Sequence, residues 1–141
     1  MTLKLRQKAQ SAKGWQRGFT LIELMVVMAI ISIIISIALP IYQKSLIRAK
    51  ESVLRNNLFT IRSMIDEYTI DKQKAPESLQ ELVSEGYLRQ VPQDPMTGSD
   101  STWHVIMEET PVGGSNSPPG IFDVKSGSEK TSLEGTPYSE W

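Results

Sequence analysis

Glu23 is the residue whose chemistry most needs an explanation. It stands in Gly18-Phe19-Thr20-Leu21-Ile22-Glu23, at the head of an apolar run that reaches Leu39. A charged side chain costs about 2.5–3.5 kcal/mol at the centre of a membrane-spanning helix and less near its end. Glu23 can lower that cost by snorkelling to the interface, or by pairing with a cation from another chain. A cut between Gly18 and Phe19 creates such a cation, the new amino group of Phe19. Together these residues read as a peptide to be removed, a helix to be held in a membrane and a charge kept for a partner.

Two elements must position that chemistry, a basic leader and an apolar span. Residues 1–18 carry Lys4, Arg6, Lys8, Lys13 and Arg17 and no acidic residue. Positive charge before a hydrophobic span stays on the cytoplasmic side, so the rest of the chain faces outward. The segment is like the first part of a secretory signal. No small-x-small cleavage site follows the apolar run, however. Ser36, Ala38 and Pro40 come nearest, and a helical pattern continues past them. An ordinary signal peptide or signal anchor is the bland alternative, and it leaves Glu23 without a role.

The run from Phe19 to Ile41 holds 23 residues and one charge, against the roughly 20 apolar residues a helix needs to cross a bilayer core. Ile30, Ile31, Ile33, Ile34, Ile35 and Ile37 make it apolar on every face. Ser32 and Ser36 share a face. They either bond back to the helix backbone and let neighbouring helices approach closely, or are simply tolerated small residues.

The 141 residues allow one domain outside the membrane, with a modest core. Beyond the leader, ten Lys and Arg stand against sixteen Asp and Glu, a formal −6. Such an acidic domain argues against nucleic-acid binding. There is no cysteine, so no disulfide can clamp the C-terminal region. The single histidine, His104, has no second ligand candidate beside it and reads as a packed or surface residue. No P-loop, dinucleotide fingerprint, nucleophile elbow or Cys–His pair is present, which speaks against an enzyme.

Helical periodicity continues beyond the span. Ile47, Leu54, Leu58, Ile61, Ile65 and Tyr68 form one apolar stripe, with Arg48, Lys50, Glu51, Arg55, Asn56, Asn57 and Arg62 assigned to the other faces. The pattern predicts one helix from about Phe19 to about Lys72, bent or loosened at Pro40, or two helices joined there. Lys74-Ala75-Pro76 ends it. A short helix begins at Pro76 and runs to Val83, with the proline in its first turn and Gly86 as its stop. Gln93 to Gly98 reads as a turn. Trp103–Met107 and Ile121–Val124 read as strands, with a third predicted near Tyr138 to Trp141. Thr110–Gly120 is a loop rich in proline and glycine.

The hexapeptide at Gly18–Glu23 resembles the processing site of type IV pilins and type II secretion pseudopilins. That resemblance implies that a membrane peptidase cuts after Gly18 and methylates the new terminus at Phe19. It makes Glu23 the carboxylate that docks one subunit on the next, and places Pro40 where many pilins carry a helix-kinking proline. The order that follows the long helix widens the resemblance. A short helix, Gly86-Tyr87-Leu88, Val91-Pro92, Asp94-Pro95, Gly120-Ile121-Phe122-Asp123-Val124 and a terminal Trp141 are similar to the major, G-type pseudopilin of type II secretion.

The fold implied is α+β and pilin-like: a long N-terminal helix, membrane-spanning in its first half and amphipathic in its second, packed on a small C-terminal antiparallel sheet. The parts are a cleaved leader at 1–18, a transmembrane or filament-core helix at 19–41 and a periplasmic domain at 42–141. The function implied is that of a structural, non-enzymatic subunit of a type II secretion pseudopilus. It polymerises through its N-terminal helix to drive export across the outer membrane. A surface type IV pilus, for adhesion, motility or DNA uptake, is the alternative; a monomeric signal-anchored binding domain is a third reading. The implied partners are further copies of the chain, the prepilin peptidase, an inner-membrane assembly platform and minor pseudopilins. The expected location is the bacterial inner membrane, single-pass with a cytoplasmic N-terminus, and a periplasmic filament after assembly. No cofactor is required. The resemblance brings one metal into question, because major pseudopilins hold their last loop with calcium. The matching stretch, Ser126 to Ser139, has no aspartate and carries Lys130. Glu134 with backbone carbonyls is its remaining candidate, against a metal-free loop held by packing of Tyr138 and Trp141.

Overall fold

The computed structural model describes residues 18–111 and 118–141. The leader before Gly18 and the centre of the Thr110–Gly120 loop therefore lie outside the described residues. The elements are α1 (Leu21–Lys72), α2 (Leu79–Ser84), β1 (His104–Met107), β2 (Ile121–Lys125) and a closing 3-10 turn (Tyr138–Glu140). The chain divides into two compact units, Met1–Leu39 and Pro40–Trp141.

In the first unit every described side chain is exposed. Its part of α1 is long and apolar enough to cross a membrane. An apolar surface of this extent marks a site to be covered by lipid or by protein. Pro40 lies inside α1, which the structure shows as one continuous helix rather than two. Lacking an N–H, Pro40 leaves the Ser36 carbonyl without its helical partner.

In the second unit the stripe packs as its spacing predicts. Leu54, Leu58, Ile61, Ile65 and Tyr68 are buried against Leu79, Leu82, Leu88, Val91, Trp103, Ile121, Val124 and Tyr138. Two positions depart from the expectation. Ile47 stays exposed, and Glu51, assigned by residue type to a polar face, is buried at 7% exposure. The reason is geometric. Glu51 lies three residues before Leu54 and seven before Leu58, so it stands on the stripe itself.

Helix α1 stops because Gln73 takes a left-handed conformation, φ 56°. Its side-chain amide donates to the Ile70 carbonyl at 2.7 Å, satisfying one of the carbonyls a helix end leaves open. The second helix starts at Leu79, later than the proline signal suggests. Ser78 is extended and its hydroxyl accepts the Glu81 N–H, so Ser78 is the cap. Pro76 precedes it and serves the sheet instead, its carbonyl accepting the Ile121 N–H at 2.7 Å. Gly86 follows as expected, with φ 86°.

Strands β1 and β2 pair antiparallel, His104 with Lys125 through Met107 with Ile121, and a bulge leaves Phe122 unopposed. The third strand predicted near Tyr138 to Trp141 does not form. Residues Tyr138–Glu140 make a 3-10 turn, entered by the Thr131–Pro137 bridge. Tyr138 and Trp141 pack edge to face there, ring centroids 5.2 Å apart, and the turn keeps Tyr138 in the core. The expected α+β, pilin-like architecture is thus present with a two-stranded sheet.

Candidate functional site

The head of α1 is built by one threonine. Thr20 Oγ1 accepts the Glu23 N–H at 3.2 Å, and the Thr20 carbonyl accepts the Leu24 N–H at 3.2 Å. Thr20 is therefore the cap and Glu23 the third residue of the helix, the spacing of a capping box. An acidic residue in the first turn also complements the partial positive charge of the helix N-terminus. The Thr-x-x-Glu spacing is a capping signal present in the sequence, passed over when Glu23 is considered for its charge alone. Gly18 and Phe19 precede the cap as exposed, non-helical backbone. Among the described residues nothing lies within 4 Å of a Cβ built at Gly18. Four turns of the helix then leave only apolar side chains and small residues exposed. Ser32 donates to the Met28 carbonyl at 2.8 Å, so its hydroxyl is satisfied within the helix.

A second cluster joins α1 to the end of the chain. Glu51 Oε1 accepts the Leu133 N–H at 2.8 Å and the Tyr138 hydroxyl at 2.9 Å. Arg55 donates to Glu134 Oε2 at 3.1 Å, and its guanidinium lies 4.4 Å from the Trp141 ring centroid. Arg62 reaches three acceptors: Asp123 Oδ1 at 2.7 Å, the Val124 carbonyl at 2.8 Å and the Trp141 main-chain oxygen at 2.9 Å. Burial and the bond to Glu51 push the Tyr138 hydroxyl up to about 12. One turn short of the far end of α1, the Tyr68 hydroxyl donates to Glu81 at 2.6 Å and holds that carboxyl below its ordinary range.

The expected site residues thus fall in different places. Gly18, Phe19 and Glu23 share the head of α1. Pro40 sits within that helix. Glu134 is exposed and ion-paired to Arg55. His104 is exposed on β1, and among the described residues no three His, Cys, Asp or Glu side chains converge on a metal-sized site.

A capped helix, apolar from Leu24 to Leu39 and continuing into a small α+β domain, defines the class, a pilin-like filament subunit. Comparison with known proteins agrees. The family model described as the prokaryotic N-terminal methylation motif matches residues 16–39. The type II secretion system core protein G of Klebsiella pneumoniae is 34% identical over 101 residues, covering 60% of this chain and 71% of that protein. The type IV major fimbrial protein FimA of Dichelobacter nodosus is 43% identical over 65 residues, covering 46% of this chain and 41% of that protein. The competence protein ComGC of Halalkalibacterium halodurans is 36% identical over 73 residues, 52% of this chain and 72% of that protein. The chain thus spans less than half the length of the fimbrial relative and about seven-tenths of the other two. No solved structure gave a significant match. The chain belongs to the type IV pilin-like family, which includes the pseudopilins.

Proposed function

We propose that this chain is the structural subunit of a type II secretion pseudopilus. The observation that carries the reading is the extent of the likeness to core protein G. It covers 60% of the chain, more than residues 1–72 comprise, so it passes beyond α1 into the globular part. The fimbrial likeness covers 46%, no more than the leader and α1 could hold between them. The absence of a cysteine pair supports the same choice.

In this reading the leader is cut after Gly18 by a prepilin peptidase and Phe19 is methylated. The chain waits in the inner membrane, N-terminus cytoplasmic and domain periplasmic, until an inner-membrane platform adds it to the filament. Packing the apolar helix against those of neighbouring copies replaces lipid contacts. The Phe19 amine of one subunit then meets Glu23 of another, which sets the register because an unpaired charge among apolar helices is costly. Pro40 gives α1 a place to bend. Minor pseudopilins join the same filament, whose growth moves folded cargo towards the outer membrane. The subunit performs no catalysis.

The deciding measurement is the mass of the N-terminal peptide of the protein taken from its native membranes. A peptide that starts at methylated Phe19 is the expected result. A terminus at Met1, or after Ala38, would remove the filament reading and favour an anchored or secreted binding domain. Secretion is separated from a surface pilus by deleting the gene: loss of exported enzymes with motility and DNA uptake intact is expected, and the converse would favour the pilus.

A further inference from the structure

We propose that Glu51 replaces a metal ion as the fastener of the final loop, making the fold of the globular domain independent of calcium. A calcium ion needs six to eight oxygen ligands with at least some carboxylates among them. Many oxygens of this loop already have partners, and two cations, Arg48 and Arg55, line the cleft beside Glu51 and Glu134. Glu134 points outward to Arg55. Ser132 Oγ and Thr136 Oγ1 bond to each other at 3.0 Å, and Thr136 Oγ1 also accepts the Trp141 indole N–H at 2.9 Å. The carbonyls of Lys130, Ser132 and Thr136 accept the N–H groups of Tyr138, Gly135 and Ser132. The donor set therefore does not fit calcium.

What the loop presents inward is the reverse of a cation site. It offers two donors, the Leu133 N–H and the Tyr138 hydroxyl, and these converge on one buried carboxylate supplied by α1. Bonds to an ionised acceptor are roughly twice as strong as neutral ones, and here they span 82 and 87 residues of chain. A metal clip ties loop oxygens to one another through a cation. The Glu51 clip ties the loop directly to the helix through an anion. Glu51 stands on the apolar stripe, and Arg48, Arg55 and Glu134 line the open cleft beside it.

The test uses the full-length chain in detergent micelles and needs no filament, so it stands apart from the secretion reading. Thermal unfolding is followed by near-ultraviolet circular dichroism, in millimolar calcium and in excess chelator. Tryptic cleavage at Lys130 reports on the loop. The expected result is one midpoint in both conditions and a protected Lys130. Glu51→Ala should lower the midpoint by roughly 5–10 °C and expose Lys130 to cleavage. Should that variant yield no folded protein, Tyr138→Phe decides, with a smaller fall in midpoint expected and no fall counting against the clip. A midpoint raised by calcium in the unaltered chain, or a Glu51→Ala chain as stable and protected as the original, would overturn the proposal.

Discussion

The carboxylate of Asp94 accepts the hydroxyl of Ser126 at 2.6 Å, across 32 residues of sequence. Its other oxygen accepts the Met96 N–H at 2.8 Å, and the side chain is fully buried. One residue thus shapes the Asp94–Gly98 turn and pins the end of β2 to it. Ser126→Ala leaves a buried carboxylate one donor short, at a cost of about 1–3 kcal/mol. Next to it, Gly127→Ala drives a Cβ into the Thr102 carbonyl oxygen. Both variants should unfold earlier in a thermal melt. A Ser126→Ala chain with an unchanged midpoint would show that water replaces the hydroxyl there.

Arg62 holds β2 and the end of the chain with one guanidinium. We predict that Arg62→Met costs about 1–2 kcal/mol, less than the roughly 1.5–3 of hydrogen bonds to charged groups because the Arg62–Asp123 pair is part-exposed. Arg62→Lys should recover little, since a single ammonium cannot reproduce the fork that meets Asp123, Val124 and Trp141 together. Denaturant midpoints of the two variants check this: a lysine variant as stable as the original would place the effect in charge alone.

Alkaline pH should loosen the C-terminal turn. Tyr138 has its hydroxyl pushed from 10.0 up to about 12 by burial and by donation to Glu51. A group whose folded pKa is raised stabilises the fold fully below its unfolded value and loses that contribution as pH rises through the folded one. The loss is therefore expected between pH 10 and pH 12. Tyr138→Phe should be less stable at neutral pH and show a shallower decline across that window. Parallel declines in both proteins would assign the alkaline effect to other groups.

At the head of α1, Thr20→Ala removes the acceptor of the Glu23 N–H. Loss of such a cap costs about 0.5–2 kcal/mol of helix stability. Amide exchange at Glu23 and Leu24 should quicken in Thr20→Ala and stay slow in Thr20→Ser. Equal exchange in all three proteins would mean that the first turn is held by its surroundings rather than by its cap.

The docking role assigned to Glu23 predicts a separation of two steps. Glu23→Ala should enter the membrane as well as the original, since it deletes a charge from an apolar span. It should assemble poorly, for want of a partner to the Phe19 amine. Filament yield and membrane content, measured on the same cells, give the answer; normal yield would sink the register idea.

Much of this protein was legible from local pattern. Leu54, Leu58, Ile61, Ile65 and Tyr68 announced their burial because a helix repeats every 3.6 residues, so spacing alone assigns a face. The apolar run was legible from length, and the family from the six-residue motif at Gly18–Glu23. The third strand failed because a short piece with tyrosine and tryptophan has the composition of a strand. Whether it pairs as one depends on a free sheet edge, and the bond from the Tyr138 N–H to the Lys130 carbonyl holds it elsewhere.

By itself, then, the sequence determined the helix, its membrane-length first part, its buried stripe and its family. Only the tertiary structure decided which polar groups go inside, Glu51 and Asp94, or half-inside, Arg62. Glu51, Arg62 and Asp94 look like surface residues by type. Each is drawn in by partners dozens of residues away: Leu133 and Tyr138 for Glu51, Asp123 and the end of the chain for Arg62, Ser126 for Asp94. A buried polar group is stable only when its hydrogen bonds are met, and whether they are met is settled when distant segments close on one another.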